Sequence, residues 1–297
     1  MFNMTILITG ANGFLGHYLV QQLLSLKHKV IATGKGGSRL PYDHGNLTYA
    51  SMDFTDPFAV HDVFEKFQPC VVVHAAAISN VDECEKHQWQ AYTTNVEGTL
   101  TLLSNAEECK AHLIFISTDF VFDGESGTYD EMSETNPVNF YGKTKRDAED
   151  AVKEYPFNWA IVRTVLVYGN NPTGRDNILT AVKKKLSIGE TYSAADDIVR
   201  TPTYVEDLAK AVVTIIEKNK TGIYHLSGKD VLTPYQMACK AARYLQLDVS
   251  LIKKVNASNL KQPAKRPVKT VFVLDKAKRE LNYDPASFEE GLKKTFT

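Results

Sequence analysis

The chain has no excess of positive charge. Lysine and arginine total 34 against 35 for aspartate and glutamate, a net charge of -1, so no basic field is on hand for nucleic acid or an anionic membrane surface. Long apolar runs are missing too. Stretches such as Val71-Val72-Val73 are strand-sized, far below the roughly 20 residues that cross a bilayer. Met1-Phe2-Asn3-Met4 carries no basic segment or cleavage site, which predicts no export signal and a cytoplasmic protein. Cysteine is scarce: Cys70, Cys84, Cys109 and Cys239 show no Cys-x-x-Cys spacing, which argues against zinc, and a reducing cytosol argues for free, mostly buried thiols. The 8 histidines form no close ligand pair, so no metal site is expected. Repeats, low-complexity tracts and long linkers are absent. Partners must therefore be recognised by local sites.

What is present is ordinary globular material. A chain of 297 residues with 43% hydrophobic content can bury a large core, and its length suggests about two domains. From Thr5 to Val167, β-branched runs alternate with helical stretches. The runs are Thr5 to Thr9, Lys29 to Thr33, Leu47 to Met52, Cys70 to His74, His112 to Ser117 and Trp159 to Arg163. Between them, Leu15 to Leu26, Ala59 to Phe67, Glu85 to Cys109 and Tyr141 to Lys153 read as helices. This rhythm predicts an α/β fold built on a doubly wound parallel sheet, with the active site at the strand ends. After Tyr168 the segment Gly169 to Gly174 reads as a loop, and the remainder is less regular. The expected division is a dinucleotide-binding domain over 1–168 and a substrate lobe over 169–297. A helix over Val205 to Lys218 and a strand over Gly222 to Ser227 suggest that residues 203–226 pack back on the first domain. Lys183-Lys184-Lys185 reads as a solvated helix face.

The strand Thr5 to Thr9 runs into Gly10-Ala11-Asn12-Gly13-Phe14-Leu15-Gly16, which opens a helix with Leu15, Leu19, Leu23 and Leu26 on one side. Three glycines at this spacing let the backbone turn sharply and approach a pyrophosphate, whose charge meets free amides and the positive end of the helix dipole. The cofactor-binding candidates here are Gly10, Asn12, Gly13, Phe14, Leu15 and Gly16. NAD usually needs a carboxylate at the end of the second strand, whereas a cation there suits a 2′-phosphate. Here Gly34-Lys35 follows that strand, with Arg39 close behind. Lys35 thus favours NADPH, with NADH the alternative, and otherwise reads as a solvated loop lysine. Asp53 stands after the third strand, where it can reach adenine or cap the next helix with Thr55.

Tyr141 and Lys145 lie four apart and share a helix face. Of the 14 tyrosines, this is the one with a lysine four residues on. A phenol with a reference pKa of about 10 is a poor acid or base near neutrality. A neighbouring ammonium and a cationic nicotinamide favour the phenolate, so that the pair can trade a proton with a carbonyl or alcohol oxygen. Thr118, at the end of the run that closes Phe115-Ile116-Ser117-Thr118-Asp119, can donate a hydrogen bond to the same oxygen.

On these residues the sequence resembles the extended short-chain dehydrogenase/reductases, and within them the dTDP-4-dehydrorhamnose reductases and their sugar-nucleotide reductase relatives. The likeness covers nearly the whole chain. It runs through the glycine loop, Val73 to Ala77, Asn95 to Thr99, Ser117 to Gly124, Asn139 to Lys145, Arg163-Thr164 and Val167 to Gly169. It implies a Rossmann-type sheet with a smaller mixed α/β C-terminal lobe, a homodimer, and a catalytic set of Thr118, Tyr141 and Lys145. Ala75, Ala76 and Ala77 would lie near nicotinamide, and Asp53 and Phe54 near adenine. The implied reaction is hydride transfer to the 4-keto carbon of a nucleotide-linked 6-deoxyhexose, with Tyr141 protonating the alkoxide. Lys145 would bind the nicotinamide ribose and lower the tyrosine pKa, and Thr118 would polarise the keto oxygen beside Asp119. Asn177 matches a substrate-contacting asparagine, while Arg200 and Arg266 are candidates for the diphosphate.

The related 4,6-dehydratases carry Asp-Glu after the threonine. Here Asp119 is followed by Phe120, which favours reduction over elimination and leaves epimerisation or a GDP-sugar reductase open. His17 stands where some relatives place a magnesium-binding glutamate, and Phe120 replaces their usual tyrosine. A further class in the same group is a non-catalytic NADP-binding regulatory subunit, resembling the beta subunit of methionine adenosyltransferase.

Overall fold

The β-branched runs assemble into one parallel sheet. In the computed structural model, residues 3–174 and 176–297 are described; Met1 and Phe2, read above for an export signal, lie outside them. The first five strands are β1 (Thr5–Thr9), β2 (Lys29–Gly34), β3 (Leu47–Ser51), β4 (Val71–His74) and β5 (His112–Thr118). Trp159–Thr164 pairs with β5, and Gly222–Leu226 forms the far edge. The spatial order from that edge is Gly222–Leu226, Trp159–Thr164, β5, β4, β1, β2, β3, with all neighbours parallel. The winding direction reverses between β1 and β4, which opens a crevice at their carboxyl ends. This is the doubly wound α/β sheet that the alternation predicted, of the Rossmann type that the resemblance implied.

Successive strand residues face opposite sides, and the core divides accordingly. Ile6, Ile8, Val30, Ala32, Val71, Val73 and Ile114 are buried on one face, and Leu7, Ile31, Val72, Leu113 and Phe115 on the other. The first face is covered by α1 (Phe14–Ser25), through Leu19 and Leu23, and by the helix Val205–Glu217, through Leu208, Val212 and Ile216. Helices Pro57–Phe67, Gly98–Glu108 and Phe140–Lys153 cover the second through Phe64, Leu102 and Val152. Each fully buried Leu, Ile or Val contributes about 1.5–3 kcal/mol of burial. A separate cluster of Leu179, Val182, Met237, Phe288 and Leu292 joins the helices Ile178–Ser187, Pro234–Tyr244 and Phe288–Phe296, each begun by a capping box at Asn177, Thr233 or Ser287.

The single helix expected over Glu85 to Cys109 is instead broken. Val81–Lys86 ends at His87, Gln88–Tyr92 follows, and a π-helical turn over Thr93–Glu97 precedes Gly98–Glu108. The wide turn is pinned by Asn95, which is buried and gives hydrogen bonds to the Ile78 carbonyl and the Thr144 hydroxyl while accepting one from the Ile78 amide. The thiols are free, with Cys84 and Cys239 buried, Cys109 half-buried and Cys70 exposed. Among the described residues no helix is long and apolar enough to cross a membrane.

Candidate active site

The loop from β1 into α1 is shaped by close approach. Gly10 has φ +71°, and a Cβ there would come within 2.9 Å of the Ala76 amide nitrogen. A Cβ on Gly16 would lie 2.2 Å from the Gly10 carbonyl oxygen, so α1 rests directly on the turn. Its first turn has neither a side-chain cap nor an acidic residue. Those uncapped amides and the positive helix end are what a pyrophosphate requires, so the loop fits a dinucleotide. Phe14 and Leu15 pack partly against the first core face. Asn12 is buried and shapes the neighbouring loop: its amide donates to the Gly37 carbonyl and the Tyr49 hydroxyl, and its oxygen accepts the Arg39 amide.

Lys35 and Asp53 form an ion pair at 2.8 Å. Partial burial opposes ionisation of Asp53, but the Lys35 ammonium and two hydrogen bonds from Thr55 outweigh it and hold the carboxyl below its ordinary range. Phe54 is buried and meets the His74 ring edge-on at 5.1 Å. His74 is itself buried, bonded to the Thr9 and Thr99 hydroxyls, and burial with the nearby Lys145 charge lowers its pKa to about 3. It is a neutral packed residue under Ala75, Ala76 and Ala77, which are half-buried.

Tyr141 and Lys145 sit on the buried face of Phe140–Lys153. The helix begins at Asn139, whose side chain accepts the Gly142 amide, and Gly142 lies so close to Phe120 that a Cβ would meet its carbonyl oxygen at 2.1 Å. This contact seats the helix on the turn after β5. The Tyr141 ring meets Phe120 edge-on at 5.9 Å and packs with Cys84 and Ala91. Burial raises the Tyr141 pKa, with Cys84 and Asp119 adding to it, while a hydrogen bond from Thr118 opposes. Lys145 is buried, 3.8 Å from the Phe115 ring centroid, and burial lowers its pKa to about 7 against the pull of Glu149 and Cys84. The expected lowering of the tyrosine pKa by Lys145 is thus not a property of the chain by itself. Burial dominates both groups.

Asp119 is buried and accepts a hydrogen bond from Thr270 at 2.5 Å and an ion-pair contact from Arg200 at 3.3 Å. Burial raises its pKa, with Arg200 opposing. The remaining Arg200 nitrogens donate to the carbonyls of Val199, Val268 and Pro267. Arg266 is held by both oxygens of Asp82, at 2.6 and 2.7 Å, and by the Ala264 carbonyl. Asn177 caps Ile178–Ser187 and donates to the Gly169 carbonyl. All three second-lobe candidates are therefore engaged within the chain. Two of them, Arg200 and Arg266, line a cavity of about 440 Å³ together with Asp119, Phe120, Tyr192 and Gln262. Phe120 connects this cavity to Tyr141.

Sequence reasoning missed Glu149, which continues the Tyr141 and Lys145 face by one further turn. It is buried in a bidentate pair with Arg163, at 3.0 and 2.6 Å, and accepts the Ser117 hydroxyl at 2.5 Å. The four-residue spacing was the available signal. Among the described residues no group of three or more His, Cys, Asp or Glu could hold a metal ion.

Residues 4–297 match the family described as RmlD substrate binding domain. The chain belongs to this family. It is 32% identical over 262 residues to methionine adenosyltransferase 2 subunit beta of Bos taurus, covering 86% of this chain and 76% of that one. To the dTDP-4-keto-6-deoxy-D-glucose reductase of Streptomyces niveus it is 31% identical over 281 residues, covering 94% and 91%. The solved dTDP-4-dehydrorhamnose reductase of Bacillus anthracis, in complex with NADP, superposes with a TM-score of 0.88 at 28% identity, covering 99% of both chains. Family membership thus spans the sheet and the second lobe alike.

Proposed function

We propose that this protein is an NADPH-dependent reductase of the 4-keto group of a nucleotide-linked 6-deoxyhexose. The observation that carries the reading is the placement of Tyr141, Thr118 and Lys145 at the carboxyl end of β5, beside a cavity reached through Phe120. The glycine loop and α1 hold the dinucleotide, Lys35 faces its 2′-phosphate in exchange for Asp53, and Lys145 holds the ribose beside nicotinamide. When bound, the cofactor supplies the hydride. Thr118 orients the keto oxygen, and the Tyr141 hydroxyl gives that oxygen its proton. Burial keeps Tyr141 protonated, which suits a proton donor in the direction of reduction. Phe120 stands where the related dehydratases carry the second of their two acids, so elimination lacks one of the carboxyl groups it needs. Support from relatives is direct, since the Streptomyces niveus protein is a reductase of a dTDP-linked 4-keto-6-deoxy sugar.

The test is NADPH oxidation with dTDP-linked 4-keto-6-deoxyhexose, beside the GDP-linked sugar and a blank without sugar. Turnover with one of them establishes the reductase and its nucleotide. A second reading is favoured by one finding, the 32% identity to a subunit of methionine adenosyltransferase 2: an NADP-binding regulatory subunit of a synthetase. Tight copurification with a methionine adenosyltransferase, with no turnover of either sugar, would select it.

A further inference from the structure

Between Asp248 and Asp275 the chain carries no carboxylate, yet it holds Lys253, Lys254, Lys261, Lys265, Arg266 and Lys269. In a protein of net charge -1 this is a pronounced local field. The stretch also surrounds the cavity. Its strand Ile252–Val255 pairs with Tyr192–Ala195, which lines the cavity, and Leu260, Gln262 and Arg266 line it directly.

The carboxylates packed against this stretch are few. Asp196 pairs with Lys254, Asp82 pairs with Arg266, Asp197 accepts the Ala257 amide, Asp119 accepts the Thr270 hydroxyl, and Asp248 accepts the Ser250 amide. The six cations and Arg200, which donates to the Val268 and Pro267 carbonyls, set against these five carboxylates leave a net charge of +2. Lys253 bonds the Ser250 carbonyl. Among the described residues Lys261 and Lys265 make no ion pair, and both are exposed. They flank the segment Gln262 to Ala264, and the chain from Ala264 to Pro267 is fixed in place. Asp82 accepts the Ala264 amide, Asn139 donates to the Lys265 carbonyl at 2.8 Å, and Arg200 donates to the Pro267 carbonyl at 2.7 Å. The two arginines expected to meet the diphosphate are thus spent on anchoring the segment, whereas the exposed Lys261 and Lys265, next in sequence to the cavity-lining Leu260, Gln262 and Arg266, carry charge without an ion pair.

We propose that Lys261 and Lys265 form an electropositive rim that captures the diphosphate of the incoming nucleotide sugar, an inference that rests on the reductase reading above. A field from exposed ammonium groups reaches about 10 Å at 0.1 M salt, enough to act across the cavity mouth without a fixed contact. It raises encounter rate and affinity, leaves the proton and hydride steps alone, and fades with salt.

The experiment compares the wild-type protein with the Lys261→Gln/Lys265→Gln double variant and with Lys27→Gln/Lys66→Gln, which removes the same charge elsewhere. It reads kcat and KM for the keto sugar, calorimetric affinity for dTDP and GDP, and NADPH affinity, at about 20 mM and about 0.5 M salt. We expect kcat/KM and nucleotide affinity of the rim variant to fall about five- to tenfold at low salt and to meet wild type at high salt, with kcat and NADPH affinity within about twofold. Equal losses in both double variants, a loss that persists at high salt, or no loss overturns the rim, as does a wild-type chain that binds neither nucleotide. Wild-type turnover with an unaffected rim variant rejects the rim and keeps the reductase. Salt-sensitive nucleotide binding that the rim variant weakens, without turnover of any sugar, keeps the rim and rejects the reductase.

Discussion

Tyr141 is surrounded by groups that disfavour its phenolate, and its ring is held by Phe120 and Cys84. Tyr141→Phe keeps those ring contacts and removes the proton, so turnover should fall by about 10²–10⁴-fold while NADPH binding stays within about twofold in a fluorescence titration. Joint loss of both would make the tyrosine a packing residue. Lys145 gives a prediction of opposite kind. Its pKa is about 7 in the fold against an ordinary lysine value of 10.5, so the unfolded chain holds a proton that the folded chain has released. The resulting cost to stability is full below about pH 7 and fades as pH rises toward 10.5. Lys145→Met should therefore stabilise the cofactor-free protein by about 1–4 kcal/mol near pH 6, and by progressively less toward pH 10, while abolishing activity. A thermal melt of both proteins across that range checks it, and a gain that grows with pH would reject the buried-lysine account. At this scale the sequence revealed groups that share a helix face or a turn: Tyr141 and Lys145, or Gly10 and Gly16. It concealed Asp82 with Arg266 and Asp119 with Arg200, because those pairs join distant segments, and an unpaired arginine in a sequence reads like a free one.

Elements were legible where one face of a short run had to be buried on both sides of a sheet. All six runs read as strands appear as such, with ends shifted by no more than a residue. The break over Glu85 to Cys109 was not legible, since its cause is the pull of Ile78 and Thr144 on Asn95, a tertiary contact that outweighs continuous helical periodicity. The glycine loop and the loop after β2 offer a contrast. Gly16→Ala would drive a Cβ against the Gly10 carbonyl, whereas a Cβ on Gly37 meets nothing within 4 Å. The first change should cost about 2 kcal/mol or more and weaken NADPH binding, and the second should stay within about 0.5 kcal/mol, both read from denaturant melts with and without cofactor. The helix Phe140–Lys153 is tied to the strand Trp159–Thr164 through Glu149 and Arg163, both buried. Glu149→Gln leaves a buried guanidinium without its counter-charge and should cost about 3–5 kcal/mol, much of it recovered in Glu149→Leu/Arg163→Met. A single variant as stable as wild type would show that the pair is dispensable.

At the scale of the whole molecule, the chain does not finish its sheet before leaving it. Residues up to 168 supply six strands, but the seventh, Gly222–Leu226, and the helix Val205–Glu217 come after an excursion through Ile178–Ser187 and Tyr192–Ala195. That helix places Val205, Leu208, Val212, Ile215 and Ile216 in the same buried cluster as Ile6, Ile8, Leu19 and Val162. A fragment ending at residue 168 would expose this apolar face. Leaving even five such side chains in water forfeits about 7–15 kcal/mol, which matches or exceeds the net stability of an ordinary domain at about 5–15 kcal/mol. The fragment is therefore expected to aggregate or to lack a cooperative melt, and the full chain to unfold with its two lobes coupled through the returning segment. Calorimetry of the full chain with rising NADPH separates the possibilities. Cofactor bound on the sheet at about 100 times its Kd adds roughly 2.7 kcal/mol to folding, and coupling requires the whole unfolding transition to move upward together. A second-lobe transition that stays in place while the sheet's transition climbs would show that the strand and helix returning to the sheet carry no cooperativity between the lobes.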